Sequence, residues 1–202
     1  ALYSQNFTSA TSTYNTAVGS AAGGAVTTGV NNTLIGALAG DALTDADHNT
    51  AVGRGSLSAD TLGYRSVAIG FGALGSQNFT TAADTNNVAV GFNAGVLIQT
   101  GTQNTAIGSD CGSSITTGNE NTFLGYKAGV HSVSTTTGED NTLIGAYSHT
   151  TNADHDTANV LGYNVGGEGG YTTVGNAGND IRAVHGNVTW ATVSDQRYKK
   201  EI

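Results

Sequence analysis

The chain repeats a five-residue pattern: a short run of β-branched and aliphatic residues closed by glycine and usually opened by asparagine. Residues 15–19 read NTAVG. NTLIG at 32–36, NTAVG at 49–53, SVAIG at 66–70, NVAVG at 87–91, NTAIG at 104–108, NTFLG at 121–125 and NTLIG at 141–145 follow, with looser copies at 158–162 (ANVLG) and 171–175 (YTTVG). The closing glycines are Gly19, Gly36, Gly53, Gly70, Gly91, Gly108, Gly125, Gly145, Gly162 and Gly175, with steps of 17, 17, 17, 21, 17, 17, 20, 17 and 13 residues. A fixed period of this size means one supersecondary unit stacked many times. With glycine at position zero, position −1 is a branched aliphatic in every copy, from Val18 to Val174, which predicts a continuous buried column. Position −3, mostly Thr or Val, shares that face of a strand, and position −2 points to the other. A strand apolar on both faces is expected to be covered on both. One face fills the inside of a coil; neighbouring chains are the natural cover for the other.

The polar positions sharpen this picture. Position −4 is Asn in seven copies (Asn15, Asn32, Asn49, Asn87, Asn104, Asn121 and Asn141), suited to a hydrogen-bonded ladder and to left-handed turns. The anchor glycine suits a tight corner with positive φ. Small residues three positions on, such as Ala22, Ala39 and Cys111, imply close packing, and Thr-Gly pairs at 28–29, 100–101, 117–118 and 137–138 mark a second corner. Helix fits poorly, because glycine costs about 1 kcal/mol at each interior helical position. The expectation is an all-β parallel β-roll or β-solenoid of about ten coils, packed or intertwined as a homotrimer. The long steps, 70 to 91 and 125 to 145, are expected to bulge as surface loops. The pattern breaks after Gly175, and residues 181–193 read as extended in a different strand arrangement. The domain reading is therefore a repeat shaft or head over 1–175, a β-rich transition over 176–193 and the start of something else over 194–202.

Composition narrows the partners. The 202 residues include 30 Gly and no Pro, and only 11% are charged, with a net charge of −8. Three of the seven basic residues, Arg197, Lys199 and Lys200, crowd the last six positions, so the body is more acidic than the total suggests. That argues against nucleic acid as a partner. No run approaches the ~18 apolar residues of a membrane span, so no membrane insertion is expected. Cys111 is the single cysteine and occupies a position filled by alanine in other copies, which predicts a small buried residue. The chain has no Met, and Ser4-Gln5-Asn6-Phe7-Thr8 matches Ser76-Gln77-Asn78-Phe79-Thr80 in phase, so it reads as a fragment beginning inside a rung with more repeats before it.

RSVAIGFGA at 65–73 and NNVAVGFNA at 86–94 resemble the head repeats of trimeric autotransporter adhesins. The resemblance covers most of 15–175 and implies a left-handed parallel β-roll with three chains about one axis. The period here is longer, and Thr usually replaces the Ser of the family motif. Thr-Gly-x-x-Asn-Thr-Ala-Ile-Gly sequences are also similar to phage and virus fibre proteins. At the C-terminus, Ser194-Asp195-Gln196-Arg197-Tyr198-Lys199-Lys200-Glu201-Ile202 resembles the opening of the intramolecular-chaperone, self-cleaving domain of phage tail spikes and fibres. That resemblance implies Ser194 as nucleophile, Lys199 as its base and Asp195 as the neighbour of the cut. A serine hydroxyl needs a base, and lysine serves only when its pKa is depressed. With nine residues of that domain present, the pair is expected to be inert here.

Other constellations carry less. Asp45, Asp47 and His48, and Asp154, His155 and Asp156, are metal-capable residue types, but both groups read as ordinary loop residues; no metal or cofactor is expected. Residues 175–181 resemble a single calcium-binding nonapeptide, a motif that needs consecutive copies. The expected function is a structural, receptor-binding segment of a trimeric phage or virus tail fibre, extracellular on the virion. Its partners would be two further copies, a C-terminal chaperone domain and a host receptor of glycan or protein, with loops 75–86 and 130–140 as candidate contacts. The alternatives are a bacterial trimeric adhesin head and a glycan-degrading tail spike, whose paired carboxylates would line a groove. Ice binding by a threonine ladder ranks last, because the Thr at −3 is expected to face inward.

Overall fold

The computed structural model describes residues 1–6, 12–130, 135–187 and the backbone of 191–192. Every motif copy is a short strand: β1 (Thr16–Val18), β2 (Thr33–Ile35), β3 (Thr50–Val52), β5 (Val67–Ile69), β7 (Val88–Val90), β8 (Thr105–Ile107), β9 (Thr122–Leu124), β10 (Thr142–Ile144), β12 (Asn159–Tyr163) and β14 (Tyr171–Asn176). These stack in that order as parallel rungs of one sheet, a β-solenoid of about nine turns with a period near 17 residues. The register never slips. Thr16 pairs with Thr33, Thr33 with Thr50, Thr50 with Val67 and Val67 with Val88, so motif position meets motif position even across the 21-residue step. The extra residues leave the sheet instead, where β4 (Gly63–Tyr64) pairs with β6 (Ala83–Asp84). A second short pair, β11 (His149–Thr150) with β13 (Gly166–Gly167), lies near the far end. There β15 (Ile181–Val184) turns back antiparallel on β14 and β16 (Ala191–Thr192) follows it, closing the parallel stack.

The anchor glycines are required twice over. From Gly19 to Gly162 each takes φ between +121° and +141°, where side chains are rarely found. A Cβ on any of them would also meet the anchor glycine of the next coil at backbone distance: Gly108 O lies 2.4 Å from a Cβ on Gly91. The second corner behaves similarly, since a Cβ on Gly101 would sit 2.4 Å from Gly118 O. The left-handed residues fall one place away from the expected asparagine. Position −5 carries φ of +50° to +63° in nine coils, at Tyr14, Asn31, His48, Arg65, Asn86, Gln103, Glu120, Asp140 and Thr157. That turn rotates the following asparagine into the interior.

Inside, the asparagine ladder holds the coils at their spacing. Each Oδ1 accepts the backbone N–H of the equivalent residue in the next coil at 2.8–3.1 Å, as in Asn49 to Ser66 and Asn104 to Asn121. Each Nδ2 donates to a corner carbonyl at 2.6–2.9 Å, such as Gly63 O or Gly118 O. The amides thus bridge mainly side chain to backbone. On another side Thr27, Thr44, Thr61 and Thr116 donate Oγ1 to the next coil's carbonyl at 2.7–3.2 Å. Asn104→Ala would leave Asn121 N–H and Gly118 O without these partners in the interior. We expect a loss of about 2–4 kcal/mol, read as a lower denaturant midpoint.

The apolar filling is the −2 column, fully or almost fully buried from Leu34 to Val160, with the +3 residues Ala22, Ala39, Ala73, Ala94, Cys111 and Ala128 against it. Side-chain volume is exchanged between −2 and +4. Where −2 is Ala51 or Ala68, position +4 is the buried Leu57 or Leu74. Where −2 is Leu34 or Phe123, position +4 is Gly40 or Gly129, and a Cβ there would stand 2.8 Å from the large side chain. Coils with Ala89 or Ala106 at −2 have Gly95 or Gly112 at +4 instead, and there side chains from elsewhere in the stack, Leu74 and Ile98 or Phe123, take the room at close packing.

The two strand faces are the reverse of the sequence expectation. Position −1, expected to be the buried column, faces out: Val18, Ile35, Ile69, Ile107, Leu124 and Leu161 are 37–58% exposed. The Thr at −3 also faces out, so the reason for ranking ice binding last does not hold. The alternation holds, but the interior lies on the −2 side, where alanine shares the column with larger residues such as Leu34, Phe123 and Leu143.

Candidate functional surfaces

The outward rows make one uninterrupted uncharged strip, branched aliphatics at −1 beside a row mostly of threonine at −3. Positions −3 and −1 carry no charged residue in any of the ten rungs. At the corner beside them, position +1 adds the exposed aromatics Phe71, Phe92, Tyr126 and Tyr163: Phe71 stacks on Phe92 with centroids 5.3 Å apart, and Tyr126 and Tyr163 each meet Tyr147, at +2, edge to face. Arg54, the one charged residue at +1, lies over Phe71, and Lys127 at +2 lies near Tyr126. At ~4.8 Å per rung, nine steps run roughly 43 Å, and a ~10 Å width gives about 430 Å², in the range that marks interaction sites.

The opposite property gathers on the lead-in edge, where Asp45, Asp47, Asp84, Glu120, Glu139, Asp140, Asp154 and Asp156 fall within three residues of the left-handed turn. Most of them stitch coils together. Asp47 Oδ1 accepts Val30 N–H at 2.7 Å, Asp156 Oδ1 accepts Glu139 N–H at 2.7 Å, and Asp45 accepts from Thr28 Oγ1. The hydrogen bond and like charge of Asp140 push the Glu120 carboxyl above its ordinary range. The metal-capable groups are spent in this way: His48 meets Asn31, and His155 meets Thr151 and Asn152. Among the described residues no three His, Cys, Asp or Glu gather as a metal site.

Cys111 sits in the core as expected, and burial pushes its thiol up to about 12, far from a reactive thiolate. The nonapeptide-like stretch is the turn from β14 to β15. Asp180 lies against Gly175, its Oδ1 1.9 Å from where a Cβ would be, the place taken in earlier coils by the next anchor carbonyl. Burial raises the Asp180 carboxyl above its usual range. Ser194, Asp195 and Lys199 lie outside the described residues, as do Phe7 and residues 131–134 of the second long step.

One buried cluster escaped the sequence reading. Ser66 replaces asparagine at −4 just before the longest step, and position +7, elsewhere Val26, Leu43, Ile98 or Ile115, is Asp60 and then Gln77. Both are fully buried, and Gln77 Nε2 donates to Asp60 Oδ2 at 2.6 Å. Gln77 Oε1 accepts from Asn87 Nδ2 at 2.9 Å, so the glutamine amide fills the missing ladder position, while Ser66 bonds Thr85 at 2.6 Å. Two consecutive polar residues in an otherwise aliphatic column were the available signal. No protein-family model, curated protein or solved structure matches the chain.

Proposed function

We propose that this chain is the structural, receptor-binding stretch of a trimeric phage or virus tail fibre, displayed outside the virion and matured by self-cleavage of a C-terminal chaperone domain. The observation that carries the trimer is the exposed strip of −3, −1 and +1 residues along the whole rod. A patch of about 430 Å² is of the size that often serves an interaction, and because this one runs the whole rod, a second and third copy of the same strip, in parallel, would meet it row against row. The choice of a fibre over an adhesin head rests on the Ser194-Asp195-x-Arg197-x-Lys199 ending.

Native mass spectrometry and sedimentation test the assembly directly. The chain is expected to run at three times its 20.3 kDa mass. Ile69→Asp with Ile107→Asp places six carboxylates in the joint of a trimer while leaving each coil interior untouched. It is expected to give a folded monomer with an unchanged circular dichroism spectrum. A monomeric parent protein would sink the trimer. A parent gene beside a membrane-anchor segment rather than tail genes would favour the adhesin head, and shortening of host polysaccharide would favour the glycan-degrading spike.

The outward Thr row supports one rival use, as an ordered hydroxyl and methyl array for ice. An ice-binding face must stay free, so a monomer with measurable thermal hysteresis would favour that reading over the trimer.

A further inference from the structure

A surface that repeats by translation offers the same contacts at every coil and cannot hold a partner at one place along the rod. Fixing a partner needs an aperiodic feature. The 21-residue step between Gly70 and Gly91 supplies one, and its base is tied to the preceding coil by several hydrogen bonds. Asp60 Oδ1 accepts the N–H of Phe79 at 3.0 Å and of Gly63 at 3.2 Å, and Thr61 Oγ1 donates to Phe79 O at 2.7 Å. Phe79 itself is buried, and β6 is paired to β4 just beyond the tip. The second oxygen, Asp60 Oδ2, accepts from Gln77 Nε2 at 2.6 Å, so both oxygens of this buried side chain are used in tying the coils together. A loop held so firmly loses little entropy on binding.

The chemistry of the tip is specific. Asn78, Thr80 and Thr81 are exposed amides and hydroxyls. The one local ion pair, Arg65 with Asp84 at 2.8 Å, neutralises itself. The half-buried Tyr64 lies in the field of Asp45, Asp47 and Asp84; burial and those carboxylates raise its hydroxyl above the ordinary tyrosine range. An anionic ligand is repelled there, whereas sugar hydroxyls pair with amides and hydroxyls beside an aromatic ring. We propose that the insertion over 78–86, with Tyr64 and Arg65 beside it, is the receptor-contact element and takes a neutral, hydroxyl-rich glycan. The proposal rests on the attachment reading above.

The whole chain, labelled, is applied to a glycan array with neutral hexose and N-acetylhexosamine, sialylated and sulfated arms, and in parallel to host cells. Binding to neutral arms is expected. Thr80→Ala with Thr81→Ala is expected to weaken it at least tenfold at an unchanged melting temperature, and deletion of 80–83 to abolish it. Thr117→Ala, on an ordinary 17-residue coil, is expected to leave it intact. A silent array, binding to anionic arms alone, or full affinity in the double variant overturns the proposal. Cell binding with a silent array overturns the glycan while attachment stands; no cell binding overturns attachment as well.

Discussion

Gly108→Ala is expected to prevent the rod from forming. Gly108 has φ of +138°, and a Cβ there would lie 2.5 Å from Gly125 O. The conformational penalty alone is on the order of 1–3 kcal/mol. The collision adds more, because both partners are backbone and the in-register pairing of β8 with β9 forbids either to move alone. The total should exceed about 4 kcal/mol, a large fraction of a domain's 5–15 kcal/mol stability. Soluble yield and the thermal midpoint by circular dichroism are the readouts. Gly178→Ala separates the two terms: φ is +96°, but nothing lies within 4 Å, so only strain of about 1–2 kcal/mol is expected. A Gly108→Ala protein melting within a few degrees of the parent would refute the stacking argument.

Phe123→Ala should have the next largest effect, about 3–5 kcal/mol, because Phe123 is the largest fully buried side chain among the described residues and a coil cannot collapse without breaking register with both neighbours. The volume exchange between −2 and +4 makes this prediction sharper. Coils with Ala51 or Ala68 at −2 carry Leu57 or Leu74 at +4, and Gly129 already has the positive φ of those leucines. Gly129→Leu alone is expected to destabilise, since even a Cβ would come within 2.8 Å of the Phe123 ring. In the Phe123→Ala background it is expected to restore part of the loss. A double-mutant cycle in urea should therefore show favourable coupling of at least about 1 kcal/mol. Additive losses would mean that the exchange does not govern packing.

The solenoid was legible because a stacked fold writes its geometry once per coil. Gly19 to Gly175 set the period, the Asn at −4 announced the ladder, and the break after Gly175 announced the antiparallel end. Which face was inside was not legible from apolarity, since Ile107 and Ala106 are both apolar and adjacent. The left-handed turn at −5 decides it: it turns the asparagine at −4 into the interior, and strand alternation then puts −2 inside, whether Ala106 or Phe123, and −3 and −1 outside. The buried Asp60–Gln77 pair was visible only as two polar residues in an aliphatic column, and its partner Phe79 N–H lies 19 residues from Asp60, brought beside it by the stacking.

The amino-acid sequence by itself determined the repeat, the corners and the two apolar faces, because each depends on residue type at a fixed spacing. The tertiary structure decided that the −3 and −1 rows face out of the coil, that the long insertion is clamped to a buried carboxylate, and that left-handed turns precede the asparagines. Those outcomes depend on contacts between coils, which no single repeat contains.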